Sequence, residues 1–278
     1  MIRIVVDSAS DILPDQAKKL GIEVLPLVAS VAGVEYRDGI DLGRSEFYEL
    51  LEKTGDFPKT SQVSPLLFAD AFKEARAAGD EVIALILSSG LSGTYQSALL
   101  GQSMAGGDGI YVIDTRLATY MILILVEYAC ALRDEGLKAS DIVEELERFK
   151  HRVKLVAALD TLEYLQRGGR LPKAAARVGE AAKLKPVIGL NEAGGVTLAG
   201  ACLGRKRALD AVMKQVTKDE IDPAFPVYTL YSYGTKNTEK LEERLAQAGI
   251  SVTERLQIGF VIGAHIGPGA CGVVYVVK

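Results

Sequence analysis

Cysteine and histidine are scarce in this chain of 278 residues, and it has no excess of positive charge. The three cysteines, Cys130, Cys202 and Cys271, stand far apart among small or apolar residues, which excludes a disulfide framework and a zinc-ligand spacing. They read as buried, reduced thiols of a cytoplasmic protein. The net charge of -4 argues against nucleic acid as a partner. No apolar h-region with a small-residue cleavage site follows Met1, so nothing points to export. Long hydrophobic runs are missing too. The most apolar stretch, Leu117 to Leu132, contains Glu127, stops at Arg133 and falls short of the roughly 20 residues of a membrane span, so it reads as a helix buried in protein. Repeats and low-complexity segments are absent.

With 49% apolar and 24% charged residues, the chain can bury a core large enough for one large or two medium domains. Compact Val/Ile/Leu runs at Ile2 to Val6, Ile22 to Leu27, Val82 to Leu87 and Ile110 to Ile113 suit a parallel sheet covered on both faces. Helical patterns at Pro14 to Leu20, Arg44 to Lys53, Pro65 to Ala78 and Ser92 to Ala105 alternate with them. This is the pattern of a three-layer α/β/α domain with a parallel sheet. Ser140 to Arg152 carries Ile142, Val143, Leu146 and Phe149 on one stripe, an amphipathic surface helix. A boundary near residue 150 divides the chain into a larger domain, 1–150, and a smaller two-layer α/β domain, 151–278. The second half offers strands at Val153 to Ala158, Val227 to Tyr231 and Val273 to Val277. It also offers a hairpin joining Pro186 to Leu190 with Val196 to Ala199, and helices at Arg205 to Lys218 and Asn237 to Ala248.

Six segments could carry chemistry. Val82 to Leu87 runs into Ser88-Ser-Gly-Leu-Ser-Gly-Thr-Tyr-Gln-Ser97, so hydroxyls and glycines sit at the carboxyl end of a strand before a helix. Open α/β sheets bind ligands there, and free N–H groups at the helix start favour an anion. A plain Ser/Thr cap after a glycine turn fits the same residues. Pro58-Lys-Thr-Ser-Gln-Val-Ser-Pro65 supplies a second group of hydroxyls, which could equally be a cap followed by a first-turn proline. His265, within Gly263-Ala-His-Ile-Gly-Pro-Gly269, is placed in a tight turn, where it could donate to an anion and carry a titratable positive charge. His151, beside Lys150 and Arg152, reads as a solvated surface residue. Asp7-Ser-Ala-Ser-Asp11 has the form of a strand-to-helix turn with an acidic cap, and Asp7 could also orient pocket hydroxyls. Finally, Arg167-Gly-Gly-Arg-Leu-Pro-Lys173 and Gly204-Arg-Lys-Arg207 are basic clusters on an acidic protein, either a docking patch or a solvated face.

Asp7-Ser-Ala-Ser-Asp11, Thr60-Ser-Gln62, Leu91-Ser-Gly-Thr-Tyr-Gln96, Leu162-Glu-Tyr-Leu-Gln-Arg-Gly-Gly-Arg170, Lys185-Pro186 and His265-Ile-Gly-Pro-Gly269 stand in an order and spacing that resemble the DegV family of bacterial fatty-acid-binding proteins. The resemblance covers essentially the whole chain. It implies a long acyl chain buried between and within the two domains, and no cofactor. It also implies a carboxylate held by Ser92, by Thr60 or Ser61 and by His265, with Gly93, Thr94 and Gly267 completing the site. The implied partner is a separate ATP-dependent fatty acid kinase that makes an acyl phosphate for phospholipid synthesis, with transient contact with a membrane surface for ligand exchange. Arg167, Arg170, Arg205 and Lys206 are the docking residues expected on that basis.

The chain departs from the family pattern at Val63, where Pro is common, and at Tyr120 to Ile124, which are bulkier than expected. If the latter lined the tail cavity, they would shorten or bend it. Two rival readings have a sequence basis. Ser92, Asp114 and His265 follow the chain order of an α/β-hydrolase triad, but Gly90-Leu-Ser-Gly93 is not a G-x-S-x-G elbow. A phosphotransferase is prompted by the fold likeness of the family to dihydroxyacetone kinases, but there is no P-loop and no evident acidic cluster for Mg²⁺.

Overall fold

The computed structural model describes residues 1–171 and 184–278. In the first half the strands are β1 (Ile2–Asp7), β2 (Ile22–Leu25), β3 (Val28–Val31), β4 (Val34–Arg37), β5 (Lys59–Ser61), β6 (Glu81–Ile86) and β7 (Ile110–Asp114). The helices there are α1 (Pro14–Leu20), α2 (Arg44–Thr54), α3 (Pro65–Ala77), α4 (Thr94–Met104), α5 (Tyr120–Asp134) and α6 (Ala139–Phe149). The second half holds β8 (Val153–Ala158), α7 (Glu163–Arg167), β9 (Leu184–Leu190), β10 (Val196–Leu203), α8 (Arg205–Val216), β11 (Tyr228–Tyr231), α9 (Lys236–Gln247), β12 (Glu254–Gln257), α10 (Phe260–Ile266) and β13 (Cys271–Val276).

The apolar runs do what their composition requires. β1 and β6 are buried along most of their length and form the middle of a parallel sheet ordered β2-β1-β6-β7. Helices α3 and α4 pack together against β6, while α5 and α6 pack together against β1, β6 and β7. These are the three layers read from the sequence. Ser64 caps α3 by accepting from the Leu66 and Leu67 amides, with Pro65 in the first turn.

The second half builds a wider, mixed sheet ordered β10-β9-β8-β13-β11-β12. Alternation along β8 divides its two faces. Val156 and Ala158 join the core under α8 and α9, with Leu209, Val212 and Tyr275. Leu155, Ala157 and Leu159 face the first half.

A third, three-stranded sheet, β4-β3-β5, was not legible in the sequence; it packs with α2 and α10 around Phe47, Tyr48 and Phe260. His265 lies in the last turn of α10, not in the expected tight turn. The reason is packing: Gly263 is needed because a Cβ there would collide with the Tyr48 hydroxyl, so that glycine serves a close helix contact and not a chain reversal. Among the described residues, no helix is long and apolar enough to cross a membrane.

Candidate functional site

Between the parallel sheet and the inner face of the mixed sheet lies a narrow apolar cavity of about 840 Å³, its open mouth included. Leucine, isoleucine and valine side chains dominate its walls, and its few polar groups are Thr60, Ser92, Thr119, Arg170 and His265.

Three elements bring the polar groups together. Thr60 is on β5, opposite Ala29 of β3, and its Oγ1 is 2.9 Å from His265 Nε2. Ser92 lies in the turn before α4, with its Oγ 2.9 Å from Thr94 Oγ1 and accepting from the Thr94 amide at 3.2 Å. Arg170 is half-buried; its Nε donates to Leu91 O at 2.9 Å and its Nη1 to Gly168 O. Among the described residues, Arg170 is therefore a cavity-lining cation, whereas the sequence placed it on a docking face.

Burial, and secondarily the Arg170 charge, lower the His265 pKa to about 4. The imidazole is neutral at pH 7, so the expected positive charge is absent. Its Nδ1 is buried without a partner among the described residues. Since an orphaned buried N–H is rarer and costlier than an orphaned lone pair, the favoured tautomer carries its proton on Nε2 and donates to Thr60 Oγ1. The Thr60 hydroxyl proton is then free. Ser92 is arranged in a similar way: its oxygen accepts from the Thr94 amide, and when the Thr94 hydroxyl is the donor of the Ser92–Thr94 pair the Ser92 proton is available. Two hydroxyls, each supported from behind by a donor, can therefore both donate into the cavity, beside the N-terminus of α4 and the Arg170 guanidinium. Such an arrangement can receive one anionic oxygen pair at the end of an apolar space.

Other predicted residues have different places. Ser61 follows Thr60 on the strand, is exposed and does not line the cavity. Gly93 is exposed and crossed by Gln62, whose Nε2 donates to Ser97 Oγ at 2.7 Å. Gly267 has φ of 71° and abuts the Tyr164 ring, so a side chain there is excluded twice over. Tyr120 to Ile124 are buried but do not line the cavity: the Tyr120 hydroxyl donates to Gln257 O at 2.7 Å and turns the ring into the core. The feared shortening of the cavity by these residues therefore does not arise.

The hydrolase triad is not assembled. Asp114 accepts from Ser89 Oγ at 2.6 Å and from the Ser89 and Arg116 amides, and among the described residues no carboxylate holds His265. Of the basic residues, Arg167 is exposed, paired with Glu163 at 2.9 Å and stacked 3.8 Å from the Phe57 ring centre. Arg205 turns inward to Asp160 and Ala158 O, which removes most of its charge from the surface. Lys206 is exposed, and Pro172 and Lys173 of the first basic cluster fall outside the described residues. No group of three or more His, Cys, Asp or Glu suited to a metal occurs among the described residues.

One residue escaped sequence reasoning. Thr119, a β-branched residue with φ of 53°, lines the cavity and donates to Asp11 Oδ2 at 2.6 Å. Such a conformation is strained and persists only where surroundings impose it. Asp11 imposes it. Asp7 accepts from the amide of Leu87 at 2.7 Å and Ser8 Oγ from that of Leu27 at 3.0 Å, so this turn fixes two cavity-lining leucines.

The family model described as an uncharacterised protein family, DegV, matches residues 1–278. The chain belongs to the DegV family. A DegV domain-containing protein of Caldanaerobacter subterraneus is 35% identical over 281 residues, covering 99% of this chain and 98% of the relative. The solved structure of a fatty-acid-binding DegV family protein from Thermus thermophilus superposes with a TM-score of 0.89 at 33% identity, covering 100% of this chain and 99% of the other. DegV of Bacillus subtilis, described as a fatty acid binding protein, gives 0.87 at 27% identity, with 100% and 99% covered. Within this DegV chain the state of His265 is directly measurable. An NMR titration should find one imidazole, that of His265, with a pKa near 4 in ligand-free protein, moving up when an anion occupies the cavity. His151 is exposed and supplies the second resonance. A His265 resonance titrating at its ordinary value in the ligand-free protein would contradict this burial.

Proposed function

We propose that the protein binds one long-chain fatty acid in this cavity and presents the carboxylate to a separate fatty acid kinase, which forms the acyl phosphate. The observation that carries the reading is the pairing of a narrow apolar cavity with two donor-backed hydroxyls, Thr60 and Ser92, at one end. His265 acts on the carboxylate through Thr60, Thr94 acts through Ser92, and Arg170 neutralises charge from the side.

The energetics agree with the division of labour. Burying the roughly 15 tail carbons of an acid of about 16 carbons at about 0.8 kcal/mol each gives about 12 kcal/mol of gross driving force, of which lost rigid-body freedom offsets about 4 kcal/mol or more. The tail supplies affinity. The head group must replace the hydration of a carboxylate, and hydroxyl donors do so while leaving the oxygens more nucleophilic than a bidentate arginine clamp would.

On this reading the chain divides near residue 150, with the ligand between its halves. Arg167 and Lys206 form the part of the basic surface open to the kinase, and ligand is exchanged at a membrane surface. The test is an acyl phosphate assay with ATP, trapping the product with hydroxylamine. No product is expected from this protein and ATP alone, and product is expected when a fatty acid kinase is added. Turnover by the isolated protein would overturn the carrier role.

A further inference from the structure

The acyl cavity is not the only space on the inner face of the mixed sheet. A polar cleft enclosing about 860 Å³ lies against its far end, with Arg116, Lys150, Lys154 and Glu192 among its walls. Two residues line both spaces, Leu155 and Leu190.

The strand register explains why. Leu159, Ala157, Leu155 and Val153 share one face of β8 and its extension. Leu159 and Ala157 line the cavity, Leu155 lines both spaces, and Val153 lines the cleft alone. On the neighbouring strand Ile188 lines the cavity, Leu190 both, and Glu192 the cleft. β8 and β9 pair antiparallel at Ala157 and Ile188, and the same register brings Leu155 opposite Leu190, just past the last paired residues. His265 approaches the other limit of this face: β13 begins at Cys271, opposite Ala158, soon after His265, and Leu155 lies about 13 Å along the strand from Leu159 at that limit.

We infer that Leu155 and Leu190 form the stop of the acyl cavity and set the longest chain the protein holds. This rests on the fatty-acid reading above. Beyond the pair the surroundings no longer suit a hydrocarbon: Lys150 Nζ donates to Asp114 O at 2.8 Å and pairs with Glu147 at 2.6 Å. A methyl end pushed past the leucines would gain little burial and would displace water from these charges. Shortening either leucine lengthens the apolar space by the depth of its side chain, and enlarging one shortens it.

The test loads the whole protein with an equimolar ladder of straight-chain acids, from about 12 to about 22 carbons, and reads the retained set by native mass spectrometry. Leu155→Ala and Leu190→Ala should each raise the ratio of longer to shorter acids about tenfold, equivalent to about two more buried methylenes. Leu190→Phe should move the ratio the other way, and it carries the test if the alanine variants do not fold. Retained acids with an unchanged ratio in every folded variant, or a shift in the same direction for alanine and phenylalanine, would overturn the stop. Wild-type protein that retains no acid from the ladder would instead overturn the fatty-acid reading itself.

Discussion

Replacing Ser92 by alanine is expected to lower acyl phosphate formation by the partner kinase about 100-fold, while retention of the acid falls only about tenfold. The smaller effect is the loss of one hydrogen bond to a charged group, about 1.5–3 kcal/mol against a gross tail contribution of about 12 kcal/mol. The larger effect adds misplacement. A nucleophilic oxygen displaced by about 1 Å from its line of attack loses about 100-fold in rate. His265→Ala should act in the same direction, because Thr60 Oγ1 loses the donor behind it and its hydroxyl is no longer aimed at the ligand. Thr60→Val should match His265→Ala, and the double variant should add little, since the two residues act as one donor chain. Equal loss of retention and phosphorylation in Ser92→Ala and His265→Ala would contradict the separation of tail affinity from head-group positioning.

The largest loss of stability is expected at Asp11. Its carboxylate accepts from the Gly259 amide at 3.0 Å and from Thr119 Oγ1 at 2.6 Å, and it faces the Arg44 guanidinium, whose Nη2 donates to Asp11 O at 2.6 Å. One buried group thus ties the first turn of the parallel-sheet half to α2, to the strained Thr119 and to the amide that opens α10. Asp11→Ala strands a partly buried cation and two donors, and should cost about 3 kcal/mol, read from the urea midpoint.

The same cluster sets a pH dependence. Burial raises Asp7 to about 7, Asp11 to about 6 and Asp38 to about 7, and repulsion from Asp11 adds to it at Asp7 and Asp38. The folded protein therefore holds protons that the unfolded chain has released. Wild-type stability should fall as pH rises from about 4 to about 7 and level off above that. Asp11→Asn removes one of the three titrating groups and should flatten the slope. A slope that Asp11→Asn leaves unchanged would place the titration elsewhere.

The parts of the fold that could be read in advance are those where one physical signal dominates. β1 and β6 are continuous apolar runs because both faces are covered, and α1 starts at Pro14 and ends before Gly21 with its caps in the sequence. The β9–β10 hairpin declares itself through Asn191 to Gly195. β3, β4 and β5 do not, being three or four residues each, with β4 mostly exposed. Nothing periodic distinguishes them from loop.

The proposed head-group residues Thr60, Ser92 and His265 were recognisable as a set only through the resemblance, because the contact between Thr60 and His265 spans 205 residues. The place of Arg170 at the cavity was not legible for a related reason. A cation in a basic run reads as surface, and its acceptor Leu91 O lies 79 residues away. Burial also reverses the chemistry assigned to His265, since a charge that a turn would have left in water is lost inside the cavity wall.

Fatty-acid binding has a direct consequence for native mass spectrometry of the protein purified under mild conditions: a single bound mass matching one long-chain fatty acid per polypeptide, released when the protein is unfolded. A bare polypeptide that also takes up no long-chain acid on incubation would contradict it.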